Sequence, residues 1–172
     1  MELFDVKRVP TKGGSLRYFV QKADGPRAIE TALTSLIDFE EQLGLYSPKM
    51  FSTFSDTVDE LKAETHSLLQ DLKAKGKHIA GFGASITGTT LIYHFGIGEF
   101  LDYLIDDNPA KQGRFSPGLH LPVFPSDALY EHKPDYVIVL AWRFVEPIVK
   151  KNSTYLEQGG HFIVPVPEVR II

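Results

Sequence analysis

The spacing of hydrophobic positions changes near residue 77, and the change divides the chain. Between Met1 and Lys22 the apolar residues fall in two short runs (Leu3, Phe4, Val6, then Tyr18, Phe19, Val20) on either side of Pro10-Thr11-Lys12-Gly13-Gly14, the pattern of a β-hairpin over residues 1–24. Gly25-Pro26 then supplies a helix start, and Ile29, Leu33, Leu36, Ile37 and Leu43 recur at helical spacing up to Gly44. Ser47-Pro48 opens a second helix. Its apolar stripe runs through Phe51, Phe54, Val58, Leu61, Leu68 and Leu72, with Thr65 in register, and stops at Gly76. Two such helices over 25–76 are expected to pack as an antiparallel pair.

From Lys77 onward short continuous apolar runs alternate with helical segments. Strands are expected near 78–82, 101–106, 123–124, 136–141 and 162–164, with helices over 85–95, 126–131 and 145–157. Strands that are apolar throughout belong to a parallel sheet buried on both faces. The fold class is therefore α/β: a Rossmann-like parallel sheet of about five strands over 77–172, flanked by helices and preceded by the hairpin and the helix pair. Right-handed crossovers gather the loops after the strand ends on one edge, where ligands of such sheets bind.

That edge collects the candidate chemistry. Gly81-Phe82-Gly83-Ala84-Ser85-Ile86 is a glycine turn between strand and helix, whose backbone N–H groups suit a phosphate. The third glycine of a G-x-G-x-x-G fingerprint would fall at Ile86, whereas Gly88 comes two residues late. Ser85 and Thr87 bring hydroxyls to the helix start, to cap it or to meet an anion. Asp106 and Asp107 close the second strand, where a carboxylate commonly grips a ribose, although Asn108-Pro109 also suits a plain turn. Lys111 and Arg114 flank Gly113 and offer cations to a diphosphate. Trp142-Arg143 follows the fourth strand of the sheet, where the indole either packs in the core or lies beside a ring system.

Composition narrows the function classes. The 172 residues, 43% of them hydrophobic, suffice for one well-cored domain or for one with an appendage. A net charge of −4, from 18 basic and 22 acidic residues, argues against nucleic acid as the main partner. There is no cysteine, which excludes disulfides, thiolate zinc and a cysteine nucleophile. No apolar run approaches the roughly 20 residues of a membrane span, and the expected location is the cytoplasm. Gly83-Ala84-Ser85 has Thr87 where a nucleophile elbow needs glycine, and the six histidines show no paired spacing, so neither a serine hydrolase nor a metal site is expected.

Several strings together resemble the C-terminal part of the sugar-nucleotide C-methyltransferases, S-adenosylmethionine-dependent enzymes of deoxysugar biosynthesis. They are Gly13-Gly14-Ser15-Leu16-Arg17, Gly81-Phe82-Gly83-Ala84, Ile105 to Gly118, Leu140-Ala141-Trp142-Arg143-Phe144, and Gly159-Gly160 to Glu168. In that family a zinc-binding domain and a central methyltransferase domain precede a Rossmann-like domain that helps hold a nucleotide-diphospho-sugar. The resemblance implies that residues 1–20 close the sheet of the central domain, and that S-adenosylmethionine belongs to that domain and not to this chain. It also implies a nucleotide-diphospho-sugar, such as a dTDP-sugar, as ligand, and a methyltransferase domain as partner. The family's histidine before the Gly-Gly-Ser-Leu-Arg string is Lys12 here. An orphaned hairpin is expected to be poorly ordered or to pack on a neighbour, as in a homo-oligomer. By this reading the chain carries no catalytic residue and does not transfer methyl groups alone. The alternatives are a free-standing NAD or adenine-nucleotide sensor and a non-catalytic assembly module.

Overall fold

The structure is a computed structural model that describes Met1–Ile172, and it divides into two compact units, Met1–Thr57 and Val58–Ile172. In the first, β1 (Glu2–Val9) and β2 (Ser15–Gln21) pair antiparallel as a separate two-stranded sheet, with Val6 opposite Tyr18 and Lys7 opposite Arg17. Helix α1 (Thr31–Gln42) packs on β1 and buries Leu33, Phe4 and Val6. Helix α1 thus covers one face of the hairpin, while Leu3, Tyr18 and Val20 stay exposed on its strands.

Two helical expectations are corrected. Helix α1 begins at Thr31 and not at Gly25-Pro26, since the Gln21 side chain clamps the intervening turn. Its Nε2 donates to the Arg27 carbonyl at 2.8 Å, and its Oε1 accepts the Arg27 N–H at 3.1 Å. Nor do α1 and the start of α2 (Pro48–Ala74) form a packed pair: the stripe of α1 is turned to the hairpin, while Phe51 and Phe54 of α2 stay about 60% exposed. Periodicity states that a stripe needs a cover, not which element supplies it.

The second unit is a six-stranded sheet in the order β5-β4-β3-β6-β7-β8. Strands β3 (Ile79–Phe82), β4 (Tyr103–Ile105), β5 (Val123–Phe124), β6 (Tyr136–Val139) and β7 (His161–Val164) are parallel, and β8 (Arg170–Ile171) adds an antiparallel edge that two residues are too few to announce. Alternate residues of each strand feed opposite cores, as the two-residue side-chain period dictates. Ile79, Leu104, Ile138 and Ile163 pack with Leu69 and Leu72 of α2 and Ile92 of α3 (Ile86–Phe95). Ala80, Phe82, Ile105, Val137, Val139 and Phe162 pack with α4 (Ala128–Glu131), α5 (Val145–Lys151) and α6 (Ser153–Glu157). The single helix expected over 145–157 is split at buried Asn152, whose side-chain amide donates to the Ile148 carbonyl at 2.8 Å and competes with the helical ladder. No helix is long and apolar enough to cross a membrane.

Glycines set how closely α3 meets the sheet. A Cβ on Gly81 would stand 2.7 and 2.8 Å from the side chains of Leu104 and Leu140, inside the α3-facing core. A Cβ on Gly88 would stand 2.5 Å from the Gly83 carbonyl oxygen. Gly88 therefore does the close-packing work of the third fingerprint glycine, two residues later in sequence. Replacing a helical glycine by alanine ordinarily stabilises by about 0.4–1 kcal/mol. Gly88→Ala is expected to have the opposite sign and to lose about 1–3 kcal/mol in urea unfolding, because backbone must move to admit the methyl.

Candidate functional site

Strands β3 and β6 lie side by side, and the chain leaves them in opposite directions, toward β4-β5 and toward β7-β8. This strand order creates a crevice outside their C-terminal ends. At its base Gly83 has φ +112°, and a Cβ there would meet Ala141 Cβ at 2.7 Å and Ala141 N at 2.9 Å, so the two strand-end loops touch where only glycine fits. Ser85 caps α3: its Oγ accepts the Gly88 N–H at 3.1 Å and lies 3.0 Å from the Thr87 hydroxyl. Past the cap, exposed Ile86 and Thr87 carry N–H groups that donate to nothing else among the described residues. Gly81 stands apart from the crevice, filled in by leucines.

Asp106 is buried, and its carboxylate is occupied. One oxygen accepts the Ala84 N–H at 2.8 Å and the Lys111 ammonium at 2.9 Å, and the other accepts the Asn108 N–H at 2.9 Å. Its carbonyl also accepts the Gln112 amide at 3.0 Å. The expectation that Asp106 grips a ribose hydroxyl meets a carboxylate already spent on fastening the glycine turn to the loop after β4. Ala84 likewise gives its N–H to Asp106 and not to a phosphate. Asn108 forms the turn its neighbourhood suggests, its side-chain oxygen accepting the Ala110 N–H at 3.0 Å.

Asp107 is also engaged, with the Lys151 ammonium at 2.7 Å and the Ser126 hydroxyl. Burial works to raise its pKa, but the hydrogen bonds and charge of these partners outweigh it and hold the carboxyl below its usual range. Arg114 is exposed and forms no ion pair among the described residues. It lines a pocket of about 190 Å³ together with Ala84, Lys111, Thr89 and Phe115. The structure thus gathers three of the expected residues, Ala84, Lys111 and Arg114, in one concavity. Thr89 and Phe115 also line the pocket and are not among the expected residues: Thr89 is one turn beyond the Ser85 cap, and Phe115 follows Arg114.

Trp142 and Arg143 do not line that pocket. The indole is half-buried against the α4–α6 core, and the exposed Arg143 guanidinium lies 4.9 Å from the ring centroid. The core-packing alternative is therefore met in part.

Comparison with known proteins gives this edge a context. Residues 10–167 match the family model described as C-methyltransferase C-terminal domain. The chain belongs to this family. It is also similar to "C-methyltransferase NovU" of Streptomyces niveus, 30% identical over 173 aligned positions that cover all of this chain and 41% of the relative. This C-methyltransferase C-terminal domain thus spans less than half the length of the curated relative it matches.

The geometry generates two predictions. If Asp106 is a brace, Asp106→Leu strands the Ala84 and Asn108 N–H groups, and urea unfolding should show a loss of at least about 2 kcal/mol. Unchanged stability would mark it as a free ligand contact instead. For Asp107, a folded-state pKa below the ordinary 3.8 means stability that is present above that value and lost as pH falls through the lower one. Lys151→Met should move its titration midpoint upward in carboxyl carbon NMR shifts, and an unmoved midpoint would show that the ion pair has no influence.

Proposed function

We propose that this chain is the substrate-holding C-terminal part of an S-adenosylmethionine-dependent C-methyltransferase, and that its sheet edge binds a nucleotide-diphospho-sugar. The observation that carries the reading is the pocket that brings Lys111 and Arg114 beside the start of α3 in a chain of this family. Exposed Arg114 offers a forked donor to a phosphate, and Lys111, seated on Asp106, keeps further N–H bonds for the same group. Trp142 and Arg143 border the crevice on the β6 side, where a sugar ring would lie.

The part of this domain is positional. Holding an acceptor sugar in one orientation removes much of the entropic barrier to a transfer step, about 7–11 kcal/mol at the upper end. The methyl donor is assigned elsewhere, since three of the roughly four acceptor sites of the Asp106 carboxylate, the group that would read a ribose, are already taken by Ala84, Asn108 and Lys111. The same observation counts against the ribose contact on which a free-standing NAD sensor would depend. Methyl transfer is assigned to the portion of the relative's length that lies outside this match.

Calorimetric titration of the chain with dTDP should give a dissociation constant below about 1 mM, more favourable than about −4.1 kcal/mol. Arg114→Ala should weaken it roughly tenfold, as expected for a charge-assisted hydrogen bond. No binding heat at millimolar dTDP, with the chain folded by circular dichroism, would overturn the reading.

A further inference from the structure

The first unit carries an uncovered apolar surface where α1 passes into α2. Leu43 follows the end of α1, and Tyr46, Phe51 and Phe54 come soon after; they are 47%, 73%, 60% and 62% exposed. Between Leu43 and Ser55 the only charged side chain is Lys49, while Glu40, Glu41 and Asp56 stand just outside that stretch. Depletion of charge together with enrichment in aromatic residues and methionine is the compositional mark of an interface core. Apolar side chains exposed singly are ordinary, whereas a contiguous patch marks a contact surface.

The patch sets a hollow beside a projection. Leu43, Met50 and Phe54, with Ser47, Thr53 and Thr57, line a groove of about 480 Å³. Tyr46 and Phe51 do not line it, and each stands in water next in sequence to a residue that does. The turn between the helices is pinned. The Gly44 N–H donates to the Glu41 carbonyl at 2.9 Å, the Ser47 N–H to the Gly44 carbonyl at 2.8 Å, and the Lys49 N–H to Ser47 Oγ at 3.3 Å. The groove is formed before any partner arrives, so little ordering entropy is lost on contact.

A hollow and a projection on one surface suit a two-fold contact between identical copies, since the axis brings each copy's projection to the other's hollow. The areas agree with such a contact. A standard interface takes about 800 Å² from each partner, and in homodimers roughly 65% of it, about 500 Å², is apolar. A fully buried aromatic side chain removes about 150–250 Å² from water, so the exposed portions of Tyr46, Phe51 and Phe54 supply about 300–500 Å². Leu43 and Met50 add to this. We propose that the corner between α1 and α2 is a homodimer interface, in which Tyr46 and Phe51 of each copy seat on the groove of the other. Ser47, Lys49, Thr53 and Thr57 supply its polar rim. The interface lies wholly within the first unit and is independent of ligand binding at the sheet edge.

Sedimentation equilibrium of the full chain across the micromolar range tests the proposal. The mass should rise from 19.3 kDa toward twice that value as concentration increases. Phe51→Ser and Phe54→Ser, both at exposed positions, should each weaken dimerisation at least about tenfold, as for an aromatic residue near the centre of an interface, with unchanged circular dichroism. Tyr46→Ser, in the turn, gives the same readout should a helical variant fail to fold. Tyr18→Ser, on the hairpin, should leave the dimer intact. A monomeric mass throughout the micromolar range would overturn the proposal. So would a dimer that survives loss of all three aromatic side chains of the corner, or one that Tyr18→Ser abolishes.

Discussion

The hydrogen bond from the Ala84 N–H to the buried Asp106 carboxylate joins the turn after β3 to the loop after β4, and both sides of the candidate site hang on that junction. A carboxylate withdrawn from water must have its oxygens filled. Ala84, Asn108 and Lys111 fill them, and each bond fixes a piece of architecture. Ala84 fixes the entry to α3, Asn108 the turn that leads toward Gly113, and Lys111 a cation at the wall of the pocket. The same economy appears at Asp107, which ties the loop to Lys151 at the end of α5 and to Ser126 before α4. Two acids that look like ligand contacts are the fasteners of a scaffold, and the free donors are left to Arg114, Thr89 and the exposed start of α3.

Much of this scaffold could be read from residues alone. Continuous apolar runs located β3, β4, β5, β6 and β7, because strands buried on both faces tolerate nothing else, and the Ser85 cap and start of α3 followed from a hydroxyl ahead of a helical stripe. What stayed hidden depends on partners distant in sequence. Gly88 sits two residues late for a fingerprint yet lies against Gly83 in space. A string of letters does not state whether Asp106 is free or occupied. The stripe of α1 signalled burial without naming the hairpin as its cover, and the Gln21 clamp that delays α1 is a side-chain contact made before the helix begins.

The site was only partly legible for the same reason. Charges and glycines stand out in a sequence, so Lys111, Arg114 and Gly83 could be picked out as candidates. Phe115 reads as one more aromatic until the fold shows it exposed at the wall of a pocket. Trp142 shows the reverse, being partly buried against the core. Family membership adds that the chain is a C-methyltransferase C-terminal domain, and it spans 41% of the relative's length. The domain braces its own acids and exposes donors around a small, partly apolar pocket.

Ligand binding at the C-terminal edge of the sheet, against the loops after β3 and β4, is what the functional proposal requires. Amide chemical-shift mapping of the isotopically labelled chain during titration with dTDP tests it most directly. The largest shifts should fall within 84–89 and 111–117, with smaller ones at 142–143. Shifts concentrated at the opposite edge of the sheet, around 133–135 and 158–160, or in the hairpin would contradict it.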